Sequence, residues 1–132
     1  MPTEIERHVS PDLFPPPGYS HAVVSRAAAT VWTAGGVPLN AHGHLVGRGD
    51  IAAQTAQVLA NLTKALAAAG ATPEAVVRTT VYVVTMRRAD LTTAWDVVRA
   101  SPYAPAASTL LGVALLGYEG QLVEIEATAV VE

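Results

Sequence analysis

The sequence predicts an α+β domain in which two helices cover one face of a sheet. Three observations lead there: an alanine-rich stretch from Asp50 to Ala69 with apolar residues at helical spacing, a shorter capped stretch from Asp90 to about Ala100, and runs of β-branched residues on either side of both. Taken in order, the first twenty residues carry Pro11, Pro15, Pro16, Pro17 and Gly18, which read as an irregular arm because proline neither continues a helix nor donates to a central ladder. His21 to Arg26 and Ala28 to Thr33 are short β-rich segments with a small connection between them, and are expected to pair as a hairpin. Pro38 to Gly49, with its glycines and Asn40, is a loop. Asp50 then caps a helix in which Ile51, Thr55, Val58, Leu62 and Leu66 recur at steps of three and four until Gly70 stops it. Thr72-Pro73-Glu74 gives a single capped turn before a long strand, Val76 to Met86. Asp90 is expected to cap the second helix, which Ser101-Pro102 ends. Two strands, Ala106 to Leu115 and Leu122 to Val131, complete a β-β-α-β-α-β-β order.

The chain has 132 residues, 51% of them hydrophobic and only 14% charged, so it suits one domain spanning 1–132 with one core and excludes intrinsic disorder. Eight Lys and Arg against eleven Asp and Glu give a formal charge of -3, which offers no basic footprint for nucleic acid. The absence of Cys removes disulfides, thiolate metal sites and thiol nucleophiles. No apolar run has the length of a membrane span and the first residues lack the order of a signal peptide, so a cytoplasmic protein with no membrane partner is expected.

In the long strand Val77, Val81 and Val83 alternate with Val76, Tyr82, Val84 and Met86, so both faces are expected to be apolar. Two helices cover one face, and other copies of the chain are expected to cover the second, which the low charge content supports.

Seven fragments in order resemble the RidA/YjgF family, also called the endoribonuclease L-PSP family. They are Gly18-Tyr19-Ser20-His21-Ala22-Val23, Thr33-Ala34-Gly35-Gly36-Val37-Pro38, the helix polar set Gln54, Gln57 and Asn61, Ala69-Gly70-Ala71, Val77-Arg78-Thr79-Thr80-Val81-Tyr82-Val83, Pro105-Ala106-Ala107-Ser108 and Val123-Glu124-Ile125-Glu126-Ala127. The resemblance implies a chorismate-mutase-like homotrimer with small-molecule clefts at subunit interfaces, hydrolysis of enamines or imines, and no cofactor. It places Glu124 as the catalytic, water-orienting carboxylate, and Tyr19, Ala34, Gly35, Gly36, Trp95, Ala107 and Ser108 as substrate-binding positions. The sequence departs from the family pattern at Ala107, where deaminases carry an arginine that grips the substrate carboxylate with two parallel hydrogen bonds, and again at Ala34, Gly36 and Trp95, where polar residues are lost. The implied reading is a divergent deaminase-like hydrolase that acts poorly on 2-aminoacrylate-type imino acids; the alternative is a trimeric metabolite-binding or regulatory protein without turnover.

Other residues admit two readings each. Glu124 and Glu126 share a strand face, as a catalytic pair or as solvated strand polarity. Arg78 reads as an interface ion-pair partner or as a replacement for the missing cation. Trp95 and Tyr19 are core packing or pocket wall. His42-Gly43-His44 offers two imidazoles without a third ligand, so no metal site is expected. Ser20 and Ser108 have no evident base, which leaves covalent hydrolysis unsupported.

Overall fold

The computed structural model describes residues 5–12, 15–26 and 29–132. Its elements run β1 (Ile5–His8), β2 (Ala22–Ser25), β3 (Ala29–Trp32), α1 (Ile51–Ala68), a short 3-10 turn (Pro73–Ala75), β4 (Val76–Val84), α2 (Arg88–Arg99), β5 (Ala107–Val113) and β6 (Val123–Val131). The main sheet has the strand order β3-β6-β4-β5, antiparallel except for the parallel β4-β5 pair. This is the expected α+β arrangement. Among the described residues no helix is long and apolar enough to cross a membrane.

The start of the chain differs from the sequence reading. The arm contains a strand, β1, and β2 pairs with it rather than with β3. A 2.9 Å bond from the His21 amide to the His8 carbonyl extends that ladder, so the prolines lie in the connection and interrupt neither strand. β3 instead pairs antiparallel with β6 at the edge of the main sheet. Proximity in sequence therefore gave the wrong partner for both segments. Ala28, the expected first residue of the second segment, and residues 1–4 and 13–14 of the arm lie outside the described residues.

α1 forms where the sequence places it. The Asp50 Oδ1 accepts from the Ala53 amide at 3.0 Å, and at the other end Gly70, at φ 80°, lets the Gly70 and Ala71 amides return to the Ala67 and Leu66 carbonyls. The second helix starts three residues earlier than expected. Arg87 is its flanking residue, and Asp90 lies in the first turn, where its Oδ2 accepts from the Thr85 hydroxyl at 2.7 Å while that hydroxyl accepts from the Arg87 amide. The acidic side chain still stands near the positive helix end, but Thr85 closes the backbone.

Both helices pack on one face of the main sheet. Val81 and Val83 of β4, Val123, Ile125 and Ala129 of β6, and Val58, Leu62 and Leu66 of α1 form the centre of the core, each at most 1% exposed. The expected alternation along β4 fails at its beginning. Val76 faces Ala129 while Arg78 faces Thr128, so one residue is bulged out; Val76 joins the helix side and Val77 leaves it. The opposite face is consequently less apolar than expected and is organised in rows across the strands. One row holds Trp32, Thr128, Arg78 and Ala107, the next Glu126, Thr80 and Thr109, and the third Glu124, Tyr82 and Leu111. Only beyond these does the face turn apolar, at Val84 and Val113.

Several of the polar residues in the seven fragments hold loops against this framework. Gln54, fully buried, donates from Nε2 to the Gly47 and Gly120 carbonyls and accepts from the Leu122 amide at 2.7 Å, which ties two loops to α1. Asn61 donates to the Val37 and Leu39 carbonyls. Every bond of such a buried carboxamide is satisfied, so its role is structural.

Candidate functional site

The residues singled out in the sequence fall into two groups on opposite sides of the main sheet. The first group surrounds a groove of about 240 Å³ lined by Pro17, Tyr19, Trp95, Ser108 and Leu110. Trp95, on α2, is 9% exposed, and its indole nitrogen donates to the Pro17 carbonyl at 2.8 Å, so the helix anchors the proline arm. Tyr19 follows that anchor and meets Trp95 edge to face, with ring centroids 6.2 Å apart. Ser20, buried behind it, donates its hydroxyl to the Pro105 carbonyl. Ser108, at the start of β5, accepts from the Thr79 hydroxyl at 2.8 Å. The groove thus has two aromatic walls, the hydroxyls of Tyr19 and Ser108, and no charged lining group. Both readings of Trp95 and Tyr19 hold at once: each packs on the core and each presents a wall to the groove.

The second group lies on the open face. Glu124, near the start of β6, is half-buried, and its Oε1 accepts from the Gln121 Nε2 at 3.1 Å. Gln121 is 3% exposed, donates also to the Val123 carbonyl and accepts from the Tyr118 amide, so it is fixed on both ends. Gly35 closes the other side. A Cβ at that position would lie 2.5 Å from the Glu124 Cδ and Oε2, so only a bare backbone leaves room for the carboxylate. Among the described residues Gln121 is the donor to Glu124, and Oε2 is left with acceptor capacity toward a ligand or a water. Neither Gln121 nor this use of Gly35 was foreseen in the sequence; a glutamine three residues before a strand glutamate gives no local signal.

The remaining positions separate further. Ala34 is exposed, between β3 and Gly36. Gly36 bridges Ile125 through its backbone and lies so close under α1 that a Cβ would meet Leu62 at 2.9 Å. Ala107 does not adjoin Trp95. It stands on the open face in register with Arg78, so a cation introduced at Ala107 would meet that guanidinium rather than the indole. Glu126 is not merely solvated: its Oε1 accepts from the Tyr82 hydroxyl at 2.8 Å. That bond, with burial and the two nearby carboxylates, raises the Tyr82 pKa above its usual value of 10.0. His42 and His44 are exposed on their loop, and among the described residues no group of three potential ligands is assembled there or elsewhere.

Fold and site together define a small α+β domain with an aromatic groove on one side of its sheet and an anchored carboxylate on the other. The Endoribonuclease L-PSP family matches residues 12–131, and the chain belongs to that family, the RidA/YjgF group. Among solved structures it is similar to YyfB of Yersinia pestis, a Rid-family protein of unknown function, at 43% identity over 95% of this chain and 98% of that one, with a TM-score of 0.83. It is similar also to a YjgF-family member from Mycobacterium tuberculosis (32% identity, 97% and 100% covered, TM-score 0.62) and to RidA from an Antarctic Psychrobacter (26%, 82% and 88%, 0.67). No curated protein matches the chain.

Proposed function

We propose that the chain is a divergent deaminase-like hydrolase of carbon–nitrogen double bonds, working as a homotrimer whose sites join the aromatic groove of one copy to Glu124 of the next. The observation that carries this reading is the fixed carboxylate. Glu124 is held through one oxygen by Gln121 and pressed against the bare backbone of Gly35, which presents the second oxygen to a water. Glu124 accepts a proton from that water as the oxygen attacks the imine carbon and passes it to the nitrogen, giving a carbinolamine; Glu124 then takes the carbinolamine's hydroxyl proton and delivers it to the nitrogen as the C–N bond breaks, so that amine and carbonyl compound leave.

The groove supplies the other half. Its walls of Tyr19, Trp95 and Leu110 suit a neutral or aromatic substrate, and the guanidinium that would grip a small 2-imino acid at position 107 is absent. Within one copy the two halves stand on opposite faces of the sheet, so a second copy is needed to bring them together. Exposed Trp32, Met86 and Leu115, together with the 14% charged composition, support an assembled form.

The test is release of amine from benzylidene methylamine, a neutral aromatic imine, beside 2-imino acids generated in situ. Glu124→Gln should lower the rate on the neutral imine by about a hundredfold or more, the usual loss on removing a general base. An unchanged rate would reject Glu124 as the base. If wild type turns over no imine of either kind, the chain is the family's non-catalytic form, a metabolite-binding trimer, a reading favoured by Ala107.

A further inference from the structure

A hollow of about 490 Å³ opens between the loop before α1 and the turn before β6, lined by Leu39, His44, Leu45, Arg48, Tyr118 and Glu119. We infer that it is a binding site for an aromatic monocarboxylate, with the carboxylate on the Arg48 guanidinium and the ring against Tyr118, Leu39 and Leu45.

Both walls are tied to α1, so the hollow borders the helix side of the molecule and not the open face given to neighbouring copies. Asn61 donates to the Val37 and Leu39 carbonyls at 2.7 and 2.8 Å, and Gln54 to the Gly47 and Gly120 carbonyls at 3.1 and 3.0 Å. The loop is also closed on itself. Leu39 bridges Leu45, the Asn40 amide donates to the His44 carbonyl at 2.9 Å, and the Asn40 Oδ1 accepts from the His42 and His44 amides. On the other wall the Tyr118 amide donates to the buried Gln121 at 3.1 Å. The backbone on both sides is set before a ligand arrives, which lowers the ordering cost of binding.

The cation has a definite seat. A Cβ at Gly120 would lie 2.9 Å from the Arg48 Nη1 and 2.7 Å from the Leu45 Cδ2, so the bare glycine, at φ 77°, lets the guanidinium and the leucine settle side by side on the turn. The ion pairs among the described residues both involve Glu6, so no carboxylate stands within pairing distance of Arg48. An unpaired guanidinium beside apolar surface suits a flat acid: the fork takes both carboxylate oxygens while the ring lies on the leucines. Tyr118, 53% exposed, adds an aromatic face, and His44 on the rim adds a ring N–H. Glu119 limits the charge. Its carboxylate repels a ligand more strongly with each negative charge that the ligand carries, so a monoanion is favoured over a phosphate dianion.

The inference does not depend on hydrolysis, and its test needs no turnover. The intact protein is titrated at about pH 8 with 2-naphthoate while the methyl resonances of Leu39 and Leu45 and the indole N–H of Trp95 are followed by NMR. The paired probes are 2-naphthamide, which is neutral, and 2-naphthyl phosphate, a dianion at that pH. 2-Naphthoate should saturate with shifts at both leucines, the amide should bind at least about tenfold more weakly, as expected for loss of a charge-assisted pair, and the phosphate should also bind more weakly. Arg48→Gln should abolish the advantage over the amide. Arg48→Lys, which keeps the charge and loses the fork, should retain part of it and guards against a folding defect in the first variant. Glu119→Gln should narrow the gap between acid and phosphate. Failure of 2-naphthoate to saturate, shifts confined to Trp95, equal binding of acid and amide, or tighter binding of the phosphate would overturn the assignment.

Discussion

The two faces of the main sheet are built from the same strands and serve opposite ends. On the helix side Val81, Val83, Val123, Ile125 and Ala129 alternate into a core that excludes water, and the one polar neighbour among them on β4, Thr79, is buried with its hydroxyl bonded to Ser108. On the open side the residues between them are Arg78, Thr80, Tyr82, Glu124 and Glu126, half-buried or exposed, with Tyr82 bonded to Glu126, Arg78 to Thr109 and Glu124 to Gln121. The strand period of two lets one segment such as Val123-Glu124-Ile125-Glu126 hold the fold with one set of side chains and offer chemistry with the other. Side chains on the open face can therefore change while the core stays as it is.

The sharpest way to break this division is to alter each face by a single side chain. Ile125→Ala should lower unfolding free energy by about 2–5 kcal/mol in urea titrations, because it leaves a cavity in a closed core, whereas Thr80→Ala one strand away should shift it by less than about 1 kcal/mol. Equal effects would show that the open face is also structural. A smaller effect sharpens the account of the groove. Trp95→Phe keeps most of the packing and removes the bond to the Pro17 carbonyl, so it should cost about 1 kcal/mol in stability and increase protease cleavage within 15–19. Unchanged proteolysis would mean that the arm is held elsewhere.

The smallest effect concerns alkaline pH. Tyr82 on the open face and Tyr103 in the core both have raised pKa values, the first chiefly through its bond to Glu126 and the second chiefly through burial. A raised acid holds its proton more tightly when folded. The stability it contributes is present below the unfolded value of about 10 and is lost as pH rises through the higher folded value. Thermal unfolding followed at increasing pH should show midpoints falling above about pH 10, and Tyr103→Phe should flatten that fall. An unchanged slope in the variant would remove Tyr103 from the account.

The helices and the three long strands were legible because their signals are local. Asp50, Gly70 and the apolar steps of α1 lie within one segment, β4 is rich in β-branched residues, and β5 and β6 are apolar-rich segments set off by the turn residues around them. What was not legible depends on residues far apart. Two adjacent valines, Val76 and Val77, give no hint of which is bulged, and the choice is made by Ala129 and Thr128 on another strand. The pairing of β2 with β1 rests on a segment hidden before a proline run. For the site, Glu124, Tyr19 and Trp95 could be named because the family fragments contain or bracket them. The anchoring of Glu124 by Gln121 and Gly35 could not, since it joins a turn, a strand and a loop ninety residues earlier in the chain.

The central claim is that a working site needs the groove of one copy and the carboxylate of another. It is tested most directly by mixing two variants, Glu124→Gln and Trp95→Ala, each expected to be inactive on benzylidene methylamine, and refolding them together. In a cyclic trimer of mixed composition one interface receives both intact halves, so about one site in three of every mixed trimer should work and imine hydrolysis should return. No recovery from a mixture shown by native mass spectrometry to contain mixed trimers would contradict the shared site.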